Sequence, residues 1–379
     1  MHEDRIKSAL LVIEQCELDA AILFDPAAQF YFLGLDSFAG VNTPQALILS
    51  PHLKHPSLVI WAADAPMVPG GGEGLELRTY QFGVDSPASA LTEVLNACFP
   101  KDAKFGWDAQ SAALNHALAN EITFTCGIIP VDISEEIARL RVIKTPAEFT
   151  AIRKAGEIVE KGLDALRHTA RAGASERAVA TEIEFALRRA GSDYWAVPIE
   201  MASGPRAHHV HATPGGRILE SGDLLHVEFG AVHDRYHAVG IQSLSVESLP
   251  SVDIVHAYET ARRCLASGLA AARPGIPACE IEHPALDLLA SEGFGDTFAM
   301  RFGYSVGIGY PPTWLEPFGI TRTNHQAVVP GMTFVMHACI LDAQIPTGVL
   351  VGGTYGMTRD GLVCLAGAGD ADLFVTGSG

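Results

Sequence analysis

A two-domain α/β (α+β) protein is predicted by three features of the chain. Strands alternate with helices over its first third, a helix–helix pattern returns about a hundred residues after its first occurrence, and 379 residues exceed one ordinary core. The alternating part is placed at 1–138 and the repeated part at 139–379. Two similar halves packed together would enclose a site between them.

In the first part, residues 3–16 have the apolar spacing of an amphipathic helix, followed by a strand at 20–24 that Asp25 and Pro26 break. Strands are expected at 46–50 and 58–61, with a flexible loop at Gly70, Gly71 and Gly72 after them. Helices near 87–98 and 110–121 then alternate with strands at 103–107 and 128–132. The polar, glycine-bearing loop 35–45 is either plain connection or an arm that reaches a partner's site.

The second part opens on a helix signal. Thr145 is a capping residue, Pro146 suits the first helical position, and Glu148 stands three residues after the cap. Ile152, Ala155, Ile158, Val159, Leu163 and Leu166 give this helix one apolar face, and Gly173 ends it. Ser175 caps a second helix that stops at Gly191. The same grammar returns with a helix from about 252 to Arg273, Pro274 and Gly275, and another from about 277 to Glu292 and Gly293. The spans from Arg171 to Gly191 and from Arg273 to Gly293 are equal, the mark of an internal repeat. Strands are expected in 328–342 and 349–365.

The chemistry concentrates between Ser203 and Gln242. Leu225, Val227 and Phe229 alternate with Leu224, His226 and Glu228, so His226 and Glu228 point the same way from one strand. A tight turn centred on His233 and Asp234 would pair residues whose numbers sum to 467 and set Glu228 across from Val239. A charge in so apolar a strand costs free energy unless something pairs with it, which marks Glu228 as a working group. The plain alternative is a Glu on a solvated strand face. Among the upstream histidines only His211, followed by Ala-Thr-Pro-Gly-Gly, sits where a turn presents an imidazole to this hairpin. Tyr304 and His337 lie in apolar surroundings; each either faces a pocket or is a buried side chain with one backbone hydrogen bond.

Bulk properties narrow the class. A net charge of −18 argues against nucleic acid or an anionic membrane as partner and favours a neutral, zwitterionic or cationic small substrate. The seven cysteines contain no C-x-x-C, so neither a disulfide framework nor a thiolate zinc site is suggested. The N-terminus lacks the pattern of a signal peptide and no apolar run approaches the ~20 residues of a membrane span, so the cytoplasm is the expected location.

The segments RVIKTPAEFTAIRKA, SGPRAHHVHATP, SGDLLHVEFG, RFGYSVGIG and VPGMTFVM, in this order, resemble the creatinase/prolidase (pita-bread) family. YFLGLD is similar to the N-terminal domain of its creatinase and prolidase members. The resemblance implies a creatinase-like α/β domain followed by a pita-bread catalytic domain with an internal pseudo-repeat. It also implies a homodimer, in which the loop around Val41, Asn42 and Thr43 reaches the partner's site.

Most members of that family hold two metal ions with two Asp, one His and two Glu. The matching positions here are Glu228, Val239, Tyr304, His337 and Gly352, so no metal and no cofactor are expected. EFGAVHDRYHA and RFGYSVGIGYPPTW look like the ectoine-hydrolase version of these motifs. On that likeness His211 matches a catalytic histidine and Glu228 the carboxylate at the reacting carbon. The expectation is a metal-independent hydrolase of an amidine, guanidine or amide C–N bond in a small nitrogenous solute. His211 would be its base and acid and Glu228 its nucleophile or anchor, with His237, Tyr236, Tyr304, His337 and Trp314 contacting substrate. Two readings stand beside it: a metal-dependent Xaa-Pro dipeptidase or lyase on the same fold, and a non-catalytic binding protein.

Overall fold

The computed structural model describes residues 2–297, 300–342, 345, 347–367 and 371–377. The chain divides into two units, Met1–Arg141 with Tyr310–Pro312, and Val142–Gly309 with Thr313–Gly379.

In the first unit the strands β1 (Ala20–Leu23), β2 (Ala46–Leu49), β3 (Ser57–Trp61), β4 (Glu76–Tyr80), β5 (Phe105–Trp107) and β6 (Val131–Asp132) form one mixed sheet in the order β4-β3-β2-β1-β5-β6. Around it run α1 (His2–Gln15), α2 (Pro26–Leu33), α3 (Pro87–Cys98), α4 (His116–Cys126) and α5 (Ser134–Arg139). Asp25 and Pro26 do more than break a strand. The Asp25 carboxylate accepts from the Ala27 N–H at 3.0 Å and Pro26 takes the first helical position, so the pair starts α2. The helix expected from 110 begins only at His116, because Asn115 is the residue that caps it. Gly70 and Gly71 adopt positive φ inside a short 3-10 turn.

The second unit repeats one motif. Helices α6 (Pro146–Thr169) and α7 (Glu176–Arg189) precede β7 (Glu200–Ser203), β8 (Leu224–His233) and β9 (Tyr236–Ser245). Helices α8 (Val252–Ala271) and α9 (Ala278–Ser291) precede β10 (Gly303–Tyr310), β11 (Thr313–Ile320), β12 (Thr333–Asp342) and β13 (Thr347–Thr358). These strands form a sheet in the order β11-β10-β12-β13-β9-β8-β7, with β14 (Gly361–Ala366) beside β13 and β15 (Phe374–Val375) beside β9.

Matching hydrogen bonds make the repeat concrete. In the first half Gly173 N–H donates to Leu219 O, Glu176 N–H to Arg217 O and Arg177 N–H to Gly215 O. In the second, Gly275 donates to Val328, Ala278 to Gln326 and Cys279 to Asn324. Each helix start is thus laced to the segment entering a ten-residue strand, β8 or β12. This is the mixed α/β architecture with a pseudo-repeat that the sequence implied.

Helix α6 starts on the expected capping box, and its Glu148 has a second task. One carboxylate oxygen accepts from Thr145 N–H at 2.7 Å, while the other accepts from the Tyr236 hydroxyl at 2.7 Å and so ties the helix to β9.

The hairpin register differs from the expected one. Residues pair with numbers summing to 469, so Glu228 faces Ile241 and Val239 faces Gly230. The reason is the turn. Asp234 and Arg235 both have positive φ, 50° and 65°, as a two-residue type I′ connection requires. Arginine is a poor turn residue, but here its buried guanidinium donates to Tyr194 O at 2.9 Å and Gly309 O at 2.6 Å and lies 3.9 Å from the Tyr194 ring centre.

Lys144 and Glu316 form an ion pair whose side chains are both 1% exposed. The ammonium also donates to Val142 O at 3.2 Å, and the Ser305 hydroxyl donates to the carboxylate at 3.0 Å. Breaking such a pair leaves a buried charge alone. Lys144→Met is therefore expected to lower unfolding free energy by about 3–5 kcal/mol in denaturant titration, and the double change Lys144→Met, Glu316→Leu to lower it less.

Candidate active site

Backbone pairing aligns five residues in one row across the sheet. Glu200 on β7 pairs with Glu228 on β8, Glu228 with Ile241 on β9, Ile241 with Gly352 on β13, and Gly352 with His337 on β12. Directly paired residues share a face, so all five project from the same side of the sheet. Val239 and Tyr304 join this face from neighbouring rows, opposite Gly230 and Val335. Glu228 and His337 are each the fifth residue of a ten-residue strand, the equivalent places of the two halves.

Three interstrand spacings, roughly 14 Å on a flat sheet, separate Glu228 from His337 along this row. Tyr304 nevertheless reaches both. Its hydroxyl donates to Glu228 Oε1 at 2.6 Å and its ring lies 6.0 Å from that of His337, so the sheet curls strongly here. A direct pairing of β10 with β9, Ile308 with Tyr236, is part of that curl. The Trp314 side chain hydrogen-bonds Tyr304, and a Cβ at Gly230 would lie 2.9 Å from the indole. Glycine at 230 is what lets Trp314 stand beside Tyr304.

Burial sets the electrostatics. The Glu228 carboxyl is pushed up to about 7, first by burial and then by the neighbouring Glu200, against the pull of the Tyr304 hydrogen bond, His211 and Arg301. Glu200 is raised to about 7 by burial as well. The same burial, with the Glu228 charge added, drives the Tyr304 phenol well above its usual range. His337 is pushed down to about 4 by burial, then by Arg301 and His211, and its Nδ1 is buried without a hydrogen bond. Arg301, whose guanidinium lies 5.3 Å from the Tyr304 ring centre, is the nearby cation.

The residues singled out from the sequence fall into two groups. Glu228, Tyr304, His337 and Trp314 come together as described, and His211 is exposed on the segment after β7, near enough for its charge to act on Glu228 and His337. Tyr236 and His237 are engaged elsewhere, although the His237 ring lies 6.2 Å from that of Trp314. The Tyr236 hydroxyl is on the helix side of the sheet, bound to Glu148. His237 is fully buried, its Nε2 accepts from Ala196 N–H at 3.1 Å and its Nδ1 meets Arg235 O at 3.2 Å, which leaves the ring committed to backbone. Glu200 and Arg301 were missed. Glu200 stands in a strand of four residues with no alternation to read, but a carboxylate between Ile199 and Met201 was a visible signal.

The donor set does not fit a pair of metal ions. Among the described residues no three His, Cys, Asp or Glu side chains are gathered where they could hold a metal ion. At the positions the family resemblance assigns to ligands, Val239 offers no donor atom and the Tyr304 hydroxyl is spent on Glu228. Gly352 has no room for a side chain, because a Cβ there would collide with Met336 O and lie 2.7 Å from the His337 Cβ.

Comparison with known proteins gives the setting for this site. Residues 150–361 match the model of metallopeptidase family M24, and residues 5–143 match the creatinase/prolidase N-terminal domain. The chain is 31% identical over 205 residues to an uncharacterized peptidase, YqhT, of Bacillus subtilis, covering 53% of this chain and 56% of that protein. It is 31% identical over 176 residues to a Xaa-Pro dipeptidase of Pyrococcus furiosus, covering 46% and 50%. These alignments span only about half of the relatives' own lengths. A recombinant prolidase from Thermococcus sibiricus shares the fold with a TM-score of 0.89 at 22% identity, covering 99% of each chain. The expectation of a metal-independent hydrolase of amidines, guanidines or related solutes is corrected by these names, which are those of peptidases and not of ectoine hydrolases. With more than half of its length under one family model, the chain belongs to metallopeptidase family M24.

Proposed function

We propose that this chain hydrolyses the peptide bond of short peptides, Xaa-Pro dipeptides foremost. The observation that carries the reading is the buried Glu228 carboxyl, hydrogen-bonded by Tyr304 beside Glu200, in a chain whose relatives are named as a peptidase and a Xaa-Pro dipeptidase. The net charge of −18 agrees with a zwitterionic substrate. The expected working form is a homodimer acting on a small molecule.

The donor set does not fit a metal ion, so the chemistry falls to the chain's own side chains. The Tyr304 hydroxyl occupies one oxygen of Glu228 and leaves the other for water. In its ionised form Glu228 takes a proton from that water as the new C–O bond forms at the peptide carbonyl. A proton held near neutrality is well matched to this work, because the group gains and loses it within the working range. Arg301 supplies positive charge for the developing oxyanion, and His211, exposed at the rim, delivers a proton to the nitrogen as the C–N bond breaks.

Purified protein given Xaa-Pro and other dipeptides, with and without added Mn2+ or Zn2+, should release free amino acids. Glu228→Gln should lose about 100-fold or more in kcat/KM. Intact dipeptides under every condition, or parent-like turnover by Glu228→Gln, would overturn the reading.

The pH profile gives a second check. Because the base must be ionised, kcat/KM should climb as pH rises through about 7, and Glu200→Gln, which removes the adjacent negative charge, should move that climb to lower pH.

Stability should respond in the opposite sense. A carboxyl raised from 4.5 to about 7 on folding contributes stability that is present below 4.5 and is lost as pH rises through 7. Glu228→Gln does not titrate. Its melting midpoint relative to the parent should therefore improve between pH 5 and pH 8, by an amount equivalent to no more than about 3 kcal/mol.

A further inference from the structure

The two halves of the second unit differ at one residue that the shared architecture does not need. Glu176 and Ala278 are the first residues of α7 and α9, and their backbone N–H groups make the same bond to the segment that enters the next long strand. The helix start is therefore built equally well on alanine. In the first half, however, the equivalent position holds a carboxylate that is 0% exposed. Burying it costs free energy, and only the groups around it explain its presence.

Those groups are the two ends of the loop that carries His211. One oxygen of Glu176 accepts from the Ser203 hydroxyl at 2.7 Å, at the last residue of β7. The other accepts from the half-exposed Arg206 guanidinium, as an ion pair, and from Gly215 N–H at 2.9 Å. Arg206 in turn donates to Thr213 O at 3.3 Å. One side chain thus closes residues 203–215 into a ring by three hydrogen bonds, and the fourth returns through Arg206. His211 lies inside that ring, as do His208 and His209, and β7, to which the ring is anchored, carries Glu200 opposite Glu228. In the second half the equivalent position is Ala278; the buried carboxylate of α9, Glu282, stands four residues further on and meets Arg322 at 3.6 Å, and the segment ending at Asn324 and Gln326 carries no residue placed at the site.

We propose that Glu176 is a positioning residue that holds the His211 loop in register with Glu228, acting through Arg206, Ser203 and Gly215. It touches neither substrate nor reacting atoms. The inference rests on the peptidase reading for its catalytic consequence, while the clasp itself is judged by the loop.

Two measurements test it. In hydrogen–deuterium exchange, Glu176→Ala and Glu176→Gln should speed exchange across residues 204–215 by about tenfold or more while α6, β8 and β12 keep the parent rates. Arg206→Met, which leaves the carboxylate in place, should do the same to a smaller degree and serves if the Glu176 variants fail to fold. Unchanged exchange in this loop, or a rise spread over the whole unit, would overturn the clasp. In a double-mutant cycle on dipeptide hydrolysis, Glu176→Ala should lower kcat by about 10–100-fold with His211 present and by less than about threefold in the His211→Ala background, with KM changed little in either. Equal losses in both backgrounds would make Glu176 merely structural and overturn the positioning role. If His211→Ala alone keeps parent turnover, the catalytic role given to His211 fails, and the exchange result still decides whether Glu176 holds the loop.

Discussion

The site depends on the register of one hairpin. Side chains alternate sides along a strand, so a slip of one residue between β8 and β9 would change which of their residues share a face, and a slip of two would move Ile241 away from Glu228. The Asp234–Arg235 turn prevents both. Its positive φ angles fix a two-residue connection, and the Arg235 guanidinium, locked onto the carbonyls of Tyr194 and Gly309, keeps the strained residue where it is. The row from Glu200 to His337 follows from that registration and from the pairing of β9 with β13.

Much of the scaffold could be read from residues alone. The Thr145 capping box, the Ser175 cap and the equal helix spans all appear in the structure because they rest on local chemistry, in which a side chain bonds a backbone group three or four residues away. What could not be read is non-local. Nothing in HDRY marks Arg235 as a turn residue, since its conformation is held by partners 41 and 74 residues away. The commitment of Tyr236 to Glu148 and of His237 to Ala196 is of the same kind. So is the meeting of Glu200 and Glu228 across two strands. Glu228, Tyr304 and His337 were recognisable as polar side chains in apolar strands, and that signal depends only on the cost of burying them unpaired.

The kind of reaction was harder to reach, and the reason is physical. The same sheet face serves any hydrolysis that needs a carboxylate, a phenol and an imidazole, so residue types alone do not choose between cleavage of a solute and cleavage of a peptide. The relatives are named as peptidases, and the proposed function follows them. The side chains add a restriction of their own. Tyr304 fills the space in front of Glu228 and Gly352 sits where strand β12 leaves no volume, so the chemistry proposed for the site is drawn from proton carriers already in place.

The duplicated plan of the second unit has one further consequence. Glu228 and His337 occupy the same place in their respective halves, the fifth position of matching strands. The main chain of the two long strands thus presents equivalent places to the site. The chemical difference between the two ends of the site therefore lies in the side chains set on matching places, so its handedness is a property of its residues and not of its backbone.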